Sequence, residues 1–358
     1  MEKHLANASK KNLSIVDVAE RAGVSLATAS RVISNTNYPV SAAKRQKVLD
    51  AANELGYAPN SLARGLRSQR SRLLAVLVGD NVDPYFAEIT RGVEEIANEQ
   101  GYLTIICNTE RNPARELHYL KTLRDYRADG IIFAGGGLND SEHSRQVEEI
   151  LAEIGKRGAA AITLSQHQAR IPFVQADNFG GGRAMTARLI ELGHRRIAFV
   201  SGPANLSASN VRMQGYMAAL AEKGLAIDPA AILAGNFDQA SGERAAQSIA
   251  RMAPEGRPTA IFAANDETAF GVMLGLQQSG VDVPGDISVC GFGDLPMARM
   301  LTPSLTTVHI PLRQLGKLGA SRLLAALNRE EIPLTETLSV SVIERSSTRA
   351  LEKTDTVN

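Results

Sequence analysis

The chain of 358 residues contains no tryptophan, 4% aromatic residues and only two cysteines, Cys107 and Cys290. Two thiols, each inside a run that reads as a buried strand, cannot build a disulfide framework; such sparse usage suits a reducing compartment. No apolar run approaches the roughly 18 residues a membrane-spanning helix requires. Residues 1–11 are polar and lack the apolar centre of a secretory leader, so a cytoplasmic location is expected. The six histidines, at positions 4, 118, 143, 167, 194 and 309, show no metal-ligand spacing. They read as surface or capping residues, and no metal is expected. Neither a phosphate-binding P-loop nor a Gly-x-Ser-x-Gly elbow occurs, and Gly291-Phe292-Gly293 lacks the third glycine of a dinucleotide fingerprint. No catalytic constellation is left, so neither an enzyme nor a cofactor is expected.

What the chain does have is an uneven charge. Residues 1–72 carry 12 Lys/Arg against 5 Asp/Glu, a net of +7 in a chain whose total is +1. The rest is therefore acidic. A basic head on an acidic body suits a head that meets phosphates and a body that stays off them.

The head has the spacing of a helix-turn-helix. Ser14 and Asp17 resemble a capping box for a helix running to about Ala22. Gly23 supplies the turn, and Ser25 caps a second helix to about Ser34. A third follows Ser41 and runs to about Leu55. Val18, Ala22, Val24, Ala29, Val32 and Ile33 fall where these helices must pack, with the small Ala19 at their crossing. The second is the recognition helix of such a motif, placing Leu26, Ala27 and Arg31 toward base edges. Arg31 suits guanine O6/N7, and Leu26 and Ala27 suit a thymine methyl. Ser14, Thr28 and Ser30 suit phosphates.

Pro59 disfavours helix at Ala58, and Asn60 is then a fit cap for a short hinge helix from Ser61 to about Arg67, through Leu62 and Ala63. Two turns weakened by Gly65 do not hold alone, so this helix is expected to form on DNA against a twin. Leu66 is its apolar wedge for a minor-groove base step.

From Leu73 onward, short β-rich runs alternate with helical ones. They fall at 73–78, 103–107, 130–133 and 160–164, then at 173–176, 197–201, 232–237, 260–264 and 287–292. This alternation implies parallel sheets, and the two series imply two lobes divided near Ile171-Pro172. Ligands in such folds sit at the carboxyl ends of strands. That singles out Tyr85 and Phe86 after the first strand, Phe237 closing another, Asn265 and Asp266 at a third, and Asp294 beyond Gly291-Phe292-Gly293. Aromatic rings suit the apolar faces of sugars or bases, although each ring is equally suited to a core. Asp266 also suits a helix N-terminus.

Val18 to Ser25, Ser30-Arg31-Val32-Ile33 and Gly56-Tyr57-Ala58-Pro59-Asn60 resemble the LacI/GalR family of bacterial repressors, and the resemblance covers nearly the whole chain. It implies an all-α headpiece on a two-lobed, doubly wound α/β body of the periplasmic-binding-protein type. It also implies that Leu66 matches the family's minor-groove leucine, that Arg212 is an effector-binding arginine, and that later segments cross back between the lobes. The expected parts are a headpiece over 1–58, a hinge and linker over 59–72, a body over 73–348 and a tail over 349–358. Lobe 1 takes about 73–172 and 303–330; lobe 2 takes about 173–302 and 331–348. The tail lacks heptads, so no C-terminal coiled coil is expected.

Three departures bear on the ligand. Ser165-Gln166 replaces an Asp-containing pair, Gly293 stands where many members have an acid, and Leu206 stands where the purine repressor has an arginine. The expected function is a homodimeric repressor of a near-palindromic operator, controlled by a sugar or sugar acid between the lobes. A corepressor-dependent repressor or an activator of the same family remains open, as does, more remotely, an α/β enzyme fused to a DNA-binding head.

Overall fold

The computed structural model describes residues 13–34, 38–57 and 70–351. The chain divides into two compact units, 1–71 and 72–358. The expected hinge, with Asn60, Leu62, Ala63 and Leu66, lies outside the described residues.

The first unit holds α1 (Ile15–Ala22), α2 (Leu26–Ile33) and α3 (Ala42–Leu55). At the start of α1 the Asp17 carboxylate accepts from the Ser14 amide at 2.8 Å and from its hydroxyl at 2.6 Å. Gly23 ends α1 at φ 64°, a left-handed conformation that costs any residue with a Cβ. Ser25 Oγ then accepts from the Thr28 amide at 3.2 Å and starts α2, which stops at Ile33, one residue before the expected Ser34. Val18, Ala29, Val32 and Val48 are buried at the centre, and α3 closes over them through Ala51 and Ala52.

The second unit holds two six-stranded sheets among the described residues. The first comprises β1 (Leu73–Val78), β2 (Leu103–Asn108), β3 (Gly130–Phe133), β4 (Ala160–Thr163), β5 (Phe173–Ala176) and β11 (Thr335–Leu338). Its order is β11-β5-β4-β3-β1-β2, and every pair is parallel. The second comprises β6 (Ile197–Val200), β7 (Ile232–Leu233), β8 (Ala260–Ala263), β9 (Ser288–Gly293), β10 (Thr306–His309) and β12 (Ser341–Ile343). It runs β12-β10-β9-β8-β6-β7, with β12 alone antiparallel. The fully buried β3, β8 and β9, and β1 beyond Leu73, read as continuous apolar runs because helices cover both faces.

The helices are α4 (Pro84–Glu99), α5 (Pro113–Asp125) and α6 (Ser141–Gly155), then α7 (Asn178–Glu191), α8 (Ser207–Glu222), α9 (Gln239–Ala250), α10 (Asp266–Gln278) and α11 (Leu312–Leu327). Three pairs cross closely enough to need glycine on both partners. They are α4 with α11 at Gly92 and Gly316, α7 with α8 at Gly182 and Gly215, and α9 with α10 at Gly242 and Gly271. At each of the six, a Cβ would overlap a backbone oxygen of the facing helix.

The lobes exchange segments differently from the expectation. Phe173–Ala176 pairs with β4 and β11, so it closes lobe 1 instead of opening lobe 2, and the division moves to residue 177. The segment Thr306–His309, expected in lobe 1, joins β9 in lobe 2; Thr335–Leu338, expected in lobe 2, joins lobe 1. Alternating hydrophobicity marks a strand but not its partner. Here β4 and β5 are parallel neighbours without an intervening helix, the usual cue for a parallel step. The chain thus passes between lobes three times, at residues 177, 310–311 and 339–340.

Candidate functional site

Two surfaces carry candidate residues. On the head, the N-terminus of α2 presents Leu26, 49% exposed, and the exposed Ala27. Thr28 and Ser30 are half-buried, and Thr28 Oγ1 lies 2.9 Å from Ser25 Oγ. Ser14 gives its hydroxyl proton to Asp17, so toward a phosphate it offers an acceptor-laden cap instead of a free donor. Arg31 is half-buried, with its guanidinium 3.8 Å from the centroid of the Tyr38 ring. That stacking fixes the plane of the fork, which bidentate recognition needs. Sequence reasoning missed Tyr38, although an aromatic seven residues beyond an arginine was there to be seen. Arg31→Ala is expected to cost about 1–3 kcal/mol at one base pair and to relax preference there. Binding to a library of half-site variants checks this, and equal loss on every sequence would contradict base reading.

The second surface is the cleft between the lobes of the body. Tyr85, Phe86, Arg212, Phe237, Asn265 and Asp266 all line it, as the sequence suggested. Asp83 accepts from the Tyr85 amide at 2.9 Å and starts α4, which brings Tyr85 and Phe86 to the cleft with their rings edge to face. Arg212, on α8, is 5% exposed. Its Nε donates to Asn178 Oδ1 at 2.8 Å and its Nη1 to the Ala264 carbonyl at 2.7 Å. The guanidinium lies 4.0 Å from the Phe292 ring centroid and 5.8 Å from that of Phe237. Burial lowers its pKa to about 10, so it stays charged at neutral pH.

Phe237 does not end a strand. Its strand stops at Leu233, and Phe237 sits in the following loop at φ 61°, where its carbonyl accepts from Asn265 Nδ2 at 3.1 Å. A positive φ on an aromatic residue is strained, and such strain concentrates at ligand sites. Asn265, and not Asp266, caps α10, through Oδ1 and the Thr268 amide. Asp266 is fully buried; it accepts from Thr307 Oγ1 at 2.5 Å and from the Leu295 amide at 2.8 Å.

Asp294 is outside the cleft lining. At φ 58°, just after Gly293, it turns its carboxylate to Arg345 Nη2 at 2.5 Å and to His309 Nδ1 at 2.9 Å. The acid expected at this strand end is therefore spent on an ion pair, and Gly293 lines the cleft in its place. The histidines also differ from expectation, since His143 and His194 are buried.

Several lining residues escaped sequence reasoning: Arg111, Glu116, His167, Leu138 and Phe292. Phe292 was legible as a strand end, whereas Glu116 sits in the first turn of α5, where no strand-end rule singles it out. The two lobes also touch across the cleft. Leu138 and Leu206 form an antiparallel bridge, Asn139 N–H donates to the Asn205 carbonyl at 2.8 Å, and Ser207 Oγ donates to the Gln166 carbonyl at 2.9 Å.

Burial pushes the carboxyl groups of Asp83 and Asp266 up to about 6. A raised folded-state pKa means protonation favours folding, an effect complete below the ordinary 3.8 and lost as pH rises through about 6. Asp266→Asn keeps an acceptor for Leu295 and a donor for Thr307 while removing the charge. Wild type should therefore lose more stability than this variant between pH 5 and pH 7. Thermal unfolding of both at the two pH values checks it, and equal losses would contradict the burial argument.

Known proteins resemble both surfaces. Residues 14–60 match the model of bacterial regulatory proteins, lacI family, and residues 186–348 match that of the periplasmic binding protein-like domain. The HTH-type transcriptional repressor PurR of Aliivibrio fischeri is 34% identical over 88% of this chain and 92% of its own length. A Lac repressor dimer bound to operator and the anti-inducer ONPF superimposes with a TM-score of 0.84 at 28% identity, covering 95% of this chain and 100% of that one. A complex of the transcriptional regulator CelR with cellobiose superimposes at 0.70 and 30% identity, over 94% of this chain and 99% of that one.

Proposed function

The chain belongs to the lacI family of bacterial regulatory proteins, DNA-binding transcription regulators with an effector-binding body, and we propose that a carbohydrate held between its lobes sets its grip on an operator. It works as a dimer on DNA, as the Lac repressor does. Its relatives are regulators and not enzymes.

The observation that carries the carbohydrate reading is the buried Arg212 stacked between Phe237 and Phe292. Its two bonds, to Asn178 and to the Ala264 carbonyl, are to neutral acceptors. A charged fork inside an aromatic-walled cleft suits a polyol, with rings against its apolar face and donors and acceptors for its hydroxyls. CelR, similar over most of its length, binds cellobiose. Leu206, 7% exposed in the cleft wall, offers no hydrogen bond where a purine would need one.

The coupling runs through the lobes. Each ligand-contacting wall belongs to a different lobe, and three chain passages join them, so a ligand that draws the walls together changes the angle between them. That angle acts on the hinges of the two protomers, whose Leu66 residues serve as wedges in the operator centre. By linkage, DNA alters ligand affinity by the same factor that ligand alters DNA affinity. The ligand-free dimer represses, in the reducing cytoplasm that the thiol usage suits.

A thermal-shift screen of sugars on the full chain, followed by operator binding with and without the hit, tests this. A hit that raises the unfolding temperature and shifts operator affinity about tenfold is expected. A sugar that stabilises the body without changing DNA affinity would contradict the coupling.

A further inference from the structure

This inference rests on the effector reading above and concerns the wall of the cleft opposite Arg212. Glu116, on α5, lines the cleft, and its Oε1 lies 2.9 Å from Nε2 of His143 on α6. His143 is 4% exposed, and its Nδ1 finds no partner among the described residues. A buried imidazole with one orphan nitrogen is a poor core residue. What it supplies is an Nε2–H that fixes the Glu116 carboxylate, leaving the second oxygen for the cleft. His167 lines the same wall; its Nδ1 accepts from the Ala169 amide at 3.0 Å, which puts the proton of the neutral ring on Nε2.

The charges of the lining point the same way. Three carboxylates, Asp83, Glu116 and Asp266, face two guanidiniums, Arg111 and Arg212. Arg111 lies 3.7 Å from Asp83, and Arg212 donates to Asn178 and Ala264. A carboxylate or phosphate entering beside Glu116 meets an excess of negative charge, with Arg111 paired to Asp83 and Arg212 held on the opposite wall by Asn178 and the Ala264 carbonyl. A hydroxyl or an ammonium group meets an oriented acceptor. We propose that Glu116, positioned by His143, reads a hydrogen-bond donor of the effector and makes the cleft selective for neutral or amino sugars over sugar acids and sugar phosphates. The acceptor lost at Gly293 on lobe 2 is thereby supplied from lobe 1.

The test uses the full chain and matched probes: glucose, galactose, ribose and cellobiose; glucosamine and galactosamine; glucuronate and galacturonate; glucose 6-phosphate. Thermal shift finds the binders and calorimetry gives their dissociation constants. Binders are expected only among the neutral and amino sugars, and Glu116→Gln should weaken the best of them at least tenfold, with Glu116→Asp intermediate. His143→Phe should weaken the same ligand, and in the Glu116→Gln background it should weaken it no further. Additive loss would make His143 a packing residue and overturn its positioning role. The unfolding temperature of each ligand-free variant shows that it is folded. A sugar acid or sugar phosphate as the tightest binder, or unchanged binding by Glu116→Gln, overturns this inference while leaving a carbohydrate effector intact. No binder in any series removes the carbohydrate reading itself, and the inference with it.

Discussion

Arg212→Leu should abolish the effector response while leaving operator recognition in place at temperatures where the body stays folded. Leucine fills the space between Phe237 and Phe292 but returns nothing to Asn178 Oδ1 or to the Ala264 carbonyl, which are left as buried acceptors. Each such orphan costs about 1–3 kcal/mol, so the body should lose roughly 2–6 kcal/mol and unfold about 5–25 °C lower. Ligand binding should fall further than stability, by about a hundredfold or more, because among the described residues the fork is the only cation on that wall. Arg212→Lys separates the two effects. It keeps the charge but not the planar fork, so it should recover part of the stability and little of the binding. Calorimetry on both variants, with operator binding at low temperature, checks the prediction. A normal dose–response curve in Arg212→Leu would contradict the assigned role.

The second large effect is at the crossing beneath that arginine. Gly182 and Gly215 let α7 and α8 approach until a Cβ on either would overlap the other helix's backbone, at the Arg212 and Phe179 carbonyls. Backbone cannot rotate away as a side-chain tip can, so the helices must separate along their length. Gly215→Ala should therefore destabilise the body by about 3 kcal/mol, the upper end of overpacking costs. The separation would also move Arg212, so effector affinity should drop. Gly155→Ala is the control. It lies in α6 with no atom near its would-be Cβ, and there alanine should be neutral or stabilise by up to about 1 kcal/mol. Chemical denaturation of the two variants checks the contrast, and equal effects would refute close approach as the reason for Gly215.

Much of the head was legible because its signals are local. Ser14 with Asp17, Gly23 at positive φ and Ser25 before α2 each act within four residues, and all three stand where the sequence put them. The central strands β3, β8 and β9 were legible for a similar reason, since a fully buried strand is a continuous apolar run. What was not legible depends on partners distant in sequence. Nothing in Phe173–Ala176 says that it pairs with Thr335–Leu338, and nothing in Thr306–His309 says that it pairs with β9. The cleft divides along the same line. Residues at strand ends or just after them, such as Tyr85, Phe86 and Asn265, could be named from the fold's general rule. Asp294 misled because one residue at positive φ reverses the direction of a side chain, and sequence does not print φ. Glu116 and His143 lie 27 residues apart on neighbouring helices, so only the packing of α5 beside α6 brings them together.

The most direct measurement of the central claim is the affinity of the purified dimer for an operator selected from genomic DNA, at fixed salt, against bulk DNA and across a titration of the sugar found by thermal shift. Binding to one near-palindromic sequence at least about a thousandfold tighter than to bulk DNA, shifted about tenfold by saturating sugar, is the predicted result. Equal affinity for selected and bulk DNA, whatever sugar is present, would contradict the claim that this head reads sequence and this cleft governs it.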